Sequence, residues 1–193
     1  MSVSSQTSFY TEEELAQIGF ASFGKNVCIS RFARFYGVGK IEIGDNVRID
    51  DFTVLSGRIK IGNNVHIAVY SAIFGADKGV YIDDFANISS RVCVYSISDD
   101  FSGATMSNPT VPDEFKNVLD KEVVIGRHAI IGSGSTVLPG VVMEEGSVLG
   151  AMSLLKQNAD AWTIWGGVPA IKIKDRKKDL LELEKEYLKS LNQ

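Results

Sequence analysis

The sequence predicts an all-β chain wound as a parallel β-helix, a three-sided prism with one short strand on each side. An aliphatic residue returns every six positions in two unbroken runs: Ile43, Ile49, Leu55, Ile61, Ile67, Ile73, and Ile125, Ile131, Val137, Met143, Leu149, Leu155. Shorter runs, Phe23, Ile29, Phe35 and Ile82, Ile88, Val94, keep the same spacing. Four residues after most of these anchors stands a small or β-branched residue, as at Val47, Thr53, Val65, Ser71, Ala86, Ser135, Ser147 and Ser153. A helix would repeat at about 3.6 and a strand at about 2, so neither explains a period of six. A coil of three hexads per turn does, and internal repetition of this kind marks a stacked solenoid.

In such a coil each strand pairs with its equivalent roughly 18 residues later, at about 4.8 Å. The anchor then points into a narrow core and the small residue fits where the chain bends. Gly and Asn in Gly44-Asp45-Asn46 and Gly62-Asn63-Asn64 suit the corners, because both accept unusual backbone angles at low cost. An ordinary β-sandwich would instead need hairpin turns and alternating polarity.

Residues 1–22 read as a cap. Thr11 to Glu14 is a capping box that opens a short helix through Gln17, placed to cover the open end of the prism. Coils begin at Phe23 and run to about Asp99. The segment 100–122 holds Pro109, Pro112 and many turn formers, and reads as a loop extruded from a corner. Loops of this length in compact domains usually carry function. Coils resume at Val123, and the β-helix domain is expected to span 23–174. The tail 175–193 places Leu180, Leu183, Tyr187 and Leu191 on one helical face among Lys and Glu.

With 193 residues and 45% hydrophobic content, the chain is one globular domain's worth. A formal charge of −4 argues against a nucleic-acid partner. Met1 to Ser8 lacks the pattern of a signal peptide, and no apolar run reaches membrane-spanning length. The two cysteines, Cys28 and Cys93, fall far apart in the coil, so no disulfide and a cytoplasmic location are expected.

Three segments carry a family resemblance: Ile125 to Val141 with its Pro139-Gly140 turn, Val148 to Lys156, and the ending Gly166-Gly167-Val168-Pro169-Ala170. Together they resemble the hexapeptide-repeat acetyltransferases. Within that group the chain is most similar to the galactoside and maltose O-acetyltransferase branch and to sugar acetyltransferases of bacterial surface-polysaccharide synthesis. The resemblance covers nearly the whole chain. It implies a left-handed β-helix, a homotrimer, and acetyl-CoA bound in a groove between adjacent prisms. Ser133 and Ala151 match residues whose backbone meets the pantetheine arm. Lys156 and Gln157 fall where the family has Thr-Lys, and Lys174 matches a basic position, while Ile171 replaces another. Physically, small residues let an extended thioester arm lie against backbone, and cations suit CoA phosphates.

The acceptor side departs from the pattern. The O-acetyltransferases place a catalytic His where this chain has Asp99, followed by Asp100, and an acceptor-binding Asn where it has Ala68. A general base works best with a pKa near the working pH, and carboxylates ordinarily titrate near 4. Of the two histidines, His66 points outward near Ala68, whereas His128 lies within the coil after the loop. His66 and Asp99 are therefore the candidate catalytic residues, with Ala68, Tyr70 and Asp100 on the acceptor side; Tyr95 and Phe101 are further candidates for stacking on a sugar. His66 and Asp99 fall at different corners, so a joint role requires an oligomer. An amine acceptor would relax the need for a strong base, because a neutral amine already attacks thioesters. The expected function is acetyl transfer to a hydroxyl or amine of a sugar or nucleotide-linked sugar. No metal is expected: a γ-class carbonic anhydrase would need three histidines per zinc. The alternative is a catalytically degenerate scaffold, favoured by the missing His and opposed by the retained Ser133, Ala151 and Gly-Val-Pro-Ala segments.

Overall fold

The computed structural model describes residues 8–191; the first seven residues of the predicted cap and the last two of the tail lie outside the described residues. The chain winds as a left-handed, three-sided parallel β-helix. One side stacks Ser22–Phe23, Ile41–Ile43, the second halves of Val54–Ile61 and Ala72–Ile82, then Val123–Ile125 and Val142–Met143. The next side stacks Cys28–Ile29, Arg48–Ile49, His66–Ile67, Asn87–Ile88, Ile130–Ile131 and Val148–Leu149. The third stacks Arg34–Tyr36, the first halves of the two long strands, Cys93–Tyr95, Thr136–Val137 and Leu154–Leu155. The hexad anchors from Ile29 onward, Phe35 excepted, are buried and form a single core. So are the predicted corner residues, and the hydroxyls of Ser71 and Ser135 bond the carbonyls of Ser89 and Gly150 at 2.9 and 2.8 Å.

The Gly-Asp-Asn motifs divide their labour differently from the expectation. Asn46 and Asn64 do hold left-handed angles, with φ of 55 and 56°. Gly44, however, is required by close approach: a Cβ there would stand 2.6 Å from the Gly62 carbonyl oxygen. Between them, Asn63 and Asp84 form a side-chain ladder, accepting the backbone N–H of Asp45 and Asn63 at 2.8 and 2.6 Å.

At the N-terminus the capping box is complete, and helix α1 (Glu12–Ile18) closes the first coil with Leu15 buried. Equivalent residues in regular coils are 18 apart. The spacing widens to 43 where the loop leaves. That departure begins earlier than predicted, because Ile97–Ser98 pairs antiparallel with Leu119–Asp120 and makes a neck. The C-terminal coil also differs: Thr163–Gly167 joins the second side, then turns back into antiparallel Ala170–Asp175, which terminates the stack. Helix α2 (Leu180–Ser190) leaves Leu183 and the following Leu191 exposed and turns Glu184 inward instead, because Arg127 of the prism pairs with it there.

Ile67 sits fully buried between Ile49 and Ile88 in the middle of the second side. Ile67→Ala is expected to cost about 2–5 kcal/mol, read as a lower denaturation midpoint at constant m-value. A loss below about 0.5 kcal/mol, the range of ordinary surface changes, would contradict the role given to the anchor column.

Candidate active site

Residues that follow an anchor by one position point away from the core, since side chains alternate along a strand. On the third side this column reads Phe74, Tyr95, Leu138 and Lys156, one per coil. Phe74 and Tyr95 stack with centroids 5.1 Å apart and planes 7° off parallel, matching the coil spacing. The extruded loop folds over them. Together they enclose a cavity of about 610 Å³ lined mainly by apolar groups, including Ile97, Phe101, Pro109, Val118 and Pro139. Asp99 and Lys116 supply its charge. Lys116 is paired with Asp113 at 2.9 Å. Asp99 is exposed, and its carboxylate has no hydrogen bond or ion pair among the described residues.

Asp100, expected on the acceptor side, does not line this cavity. Its carboxylate accepts from Ser102 N–H and both the Ser102 and Thr105 hydroxyls at 2.8–2.9 Å, so it braces the loop. These hydrogen bonds, the backbone one foremost, hold it below the ordinary carboxylate pKa.

His66 lies on the second side, away from the cavity of the same chain. Its Nε2 meets Asp50 Oδ2 at 2.8 Å, and Arg48 binds the other Asp50 oxygen at 2.7 Å. Burial disfavours the charged Asp50, but bonds from His66 and Arg48 outweigh it and lower the pKa. Ala68 and Tyr70 follow His66 at the corner between the second and third sides. Ser133 and Ala151 occupy the same corner one coil apart, joined by Met152 N–H to the Ser133 carbonyl at 2.9 Å. Ser90 continues the line, its hydroxyl 3.3 Å from that of Ser133. Lys156 and Gln157 are exposed on the third side, and Lys174 on the terminal hairpin. One chain thus carries two separate features: a corner seam of small residues, and a loop-covered cavity lined in part by Asp99.

His128 is only 8% exposed and belongs to a different structure. Its Nε2 meets Glu184 Oε2 at 2.8 Å, its ring stacks on Phe85 at 5.1 Å, and Arg127 pairs with both Glu184 and Asp84. This cluster fastens α2 to the prism. Sequence reasoning missed Phe74, Lys116 and Leu138 in the cavity. The position after the anchor on the third side was the available signal for Phe74 and Leu138; nothing local marked Lys116, because the loop brings it in.

Comparison with known proteins accounts for this geometry. Residues 40–75 match the family model described as bacterial transferase hexapeptide (six repeats). An Escherichia coli dTDP-4-amino-4,6-dideoxy-D-glucose acyltransferase is 50% identical over 91% of this chain and 93% of its own length. The chain belongs to the hexapeptide-repeat sugar acyltransferases. Among solved members, the N-acyltransferase AntD from Bacillus cereus, in complex with dTDP and 3-hydroxybutyryl-CoA, superposes with a TM-score of 0.95 at 52% identity, covering 97% of this chain and all of that one. Another AntD structure holds dTDP-4-amino-4,6-dideoxyglucose and coenzyme A, with a TM-score of 0.94, 51% identity, and 96% and 99% coverage. None of the described helices of this acyltransferase is long and apolar enough to cross a membrane.

In the helix-fastening cluster, burial disfavours the charged form of Glu184, while Arg127 and His128 outweigh it and hold its pKa below 4.5. A depressed carboxylate contributes stability that is present above its unfolded pKa and lost as pH falls through the folded value. The wild type is therefore expected to lose Tm below about pH 4.5 more steeply than Glu184→Gln. At neutral pH that variant, which leaves Arg127 without a charged partner in α2, is expected to be less stable by about 1–3 kcal/mol. Parallel acid limbs in the two proteins would refute this role.

Proposed function

We propose that the chain is an N-acyltransferase that moves an acyl group from acyl-CoA to the amine of a dTDP-linked 4-amino-4,6-dideoxy sugar, with the complete site formed between copies of a homotrimer. The observation that carries this reading is the unpaired Asp99 carboxylate at an apolar cavity, where the resemblance to O-acetyltransferases leads one to expect an imidazole. A sugar hydroxyl needs a strong base; a neutral amine does not. The amine attacks the thioester carbonyl, the new C–N bond forms, and the C–S bond breaks. Asp99 orients the amine and takes its surplus proton as the tetrahedral intermediate develops, then returns it to the departing CoA sulfur. The relatives support this acceptor, since both are named for, or hold, dTDP-4-amino-4,6-dideoxyglucose.

AntD has also been crystallised with substitutions at an aspartate and at a serine ten positions before it. Ser89 with Asp99 and Ser90 with Asp100 have that spacing here. The cavity favours the first pair, because Asp100 is committed to the loop.

On the donor side, Ser133 and Ala151 present a backbone groove for the pantetheine arm. Lys156, Gln157 and Lys174 supply polar and cationic groups toward the C-terminal coils. Acetyl-CoA is one donor in this reading; the cavity's size and apolar lining also suit a short hydroxyacyl chain such as the 3-hydroxybutyryl group held by AntD. Asp99 and the seam lie on different corners of one prism, so a neighbouring copy must bring them together. His66, held by Asp50, then belongs to the acceptor wall with Ala68 and Tyr70.

Thiol release from acetyl-CoA and 3-hydroxybutyryl-CoA, with dTDP-4-amino-4,6-dideoxyglucose as acceptor, tests the assignment. Asp99→Asn is expected to lower kcat about 10²–10⁴-fold, while His66→Ala acts mainly on the acceptor KM. If His66→Ala abolishes turnover and Asp99→Asn spares it, the base has been misassigned. A monomer that is fully active in analytical ultracentrifugation would remove the shared site.

A further inference from the structure

The corner seam continues past the donor residues into a feature that the transfer step does not use. In successive coils toward the N-terminus it carries Arg91, Tyr70, Phe52 and Phe32. Phe52 stacks on Tyr70 with centroids 5.0 Å apart and planes 14° off parallel, and Phe32 lies 5.7 Å from Phe52. All three aromatics are about half exposed, at 51%, 48% and 58% for Phe32, Phe52 and Tyr70. Phe52, Tyr70 and Arg91 also hold left-handed backbone angles, with φ of 59, 63 and 59°. The neighbouring edge fills such corners with Asn26, Asn46 and Asn64 and then with Phe85, His128 and Trp162, and this edge continues through Gly134 and Met152. A bulky side chain in that region is strained, and strain concentrates where structure serves a ligand. Phe85 is a useful contrast. It has the same strained φ of 59°, but it is covered by His128, Arg127 and Tyr187. Among the described residues no element covers the Phe32–Phe52–Tyr70 ladder.

At the foot of the ladder, Val69, Tyr70, Ser90 and Arg91 bound a cleft of about 450 Å³. The Arg91 guanidinium has no hydrogen bond or ion pair among the described residues. We propose that this ladder and Arg91 form the nucleotide subsite, with the pyrimidine of the acceptor stacked on Phe52 and Tyr70 and its diphosphate held by Arg91. The inference rests on the nucleotide-sugar reading given above and extends it to the residues that recognise the nucleotide. Aromatic faces stack on bases of any sequence, and guanidinium groups suit phosphate oxygens. Placement agrees with the chemistry. Ser90 joins the ladder to Ser133, so acceptor and donor would meet end to end on one seam. Phe52 lies two coils before the one that leads into Asp99, an axial offset of about 10 Å at about 4.8 Å per coil; in the shared site proposed above, the carboxylate that meets this seam comes from a neighbouring copy.

Phe52→Asn makes a clean test, because Asn is the residue this fold already uses at such corners. The variant is expected to fold with an unchanged or higher Tm. Calorimetric titration should show dTDP bound about tenfold more weakly or worse by Phe52→Asn and Tyr70→Asn, with CoA affinity unchanged. Turnover should show a raised KM for the dTDP-amino sugar alone. Arg91→Gln should weaken dTDP while leaving thymidine, which lacks phosphate, unaffected. Wild-type affinity for dTDP in both aromatic variants would overturn the subsite and leave the acceptor reading standing. Dissociation of the oligomer on Phe52→Asn would overturn it too, showing the ladder to be a subunit contact. A wild type that neither binds dTDP nor acylates a dTDP-amino sugar would overturn both.

Discussion

Backbone pairing between successive coils is the constraint on which the rest of this molecule depends. It locks equivalent residues into columns, so a residue's fate is set by its place in the hexad rather than by its neighbours in sequence. The inward column is aliphatic and dry, since a narrow prism leaves no room for water beside Ile49, Ile67 or Leu149. The outward columns are free to vary, and function is written there.

Each corner shows what the columns permit. Along the edge that α2 covers, Asn26, Asn46 and Asn64 give way to Phe85, His128 and Trp162, and these form a platform that receives Glu184 and Tyr187. The Glu184 carboxylate is held by the Arg127 guanidinium and by His128 Nε2, so the helix is fastened by polar contacts as much as by apolar ones. Along the next edge Ser133 and Ala151 stand over the C-terminal coils beside Gly134 and an exposed Met152, and exposed aromatics stand over the N-terminal ones. One edge is a fastening; the other is uncovered among the described residues and is the surface proposed to meet ligands.

Chemistry follows from what each column brings to the loop. Phe74, Tyr95 and Leu138 build an apolar wall because they alternate out of the third side, and the neck at Ile97–Ser98 swings Asp99 onto it. A carboxylate there is sufficient for an acceptor that carries its own nucleophilic lone pair. In the proposed reaction, an Asp in place of the His and an amine as acceptor are two expressions of one requirement.

The hexad period by itself determined the solenoid, its core and the buried corner residues, because each rests on local spacing that the pairing register simply repeats; the Thr11–Glu14 motif likewise determined the N-terminal capping box. Glycine's role at Gly44 was legible only in part: local propensity suggests angle freedom, whereas the neighbouring coil imposes close approach. Sequence singled out Asp99 and His66, but not that Asp100 braces the loop or that Lys116 enters the cavity. It gave α2 an apolar stripe that the structure does not bury. Asp100 folds onto residues two and five positions on, but Lys116 and Glu184 meet partners tens of positions away through the loop and the last helix, and only the folded chain sets such distances. Repetition is a local property that a sequence states outright; the meeting of a loop, a corner and a tail is decided by packing.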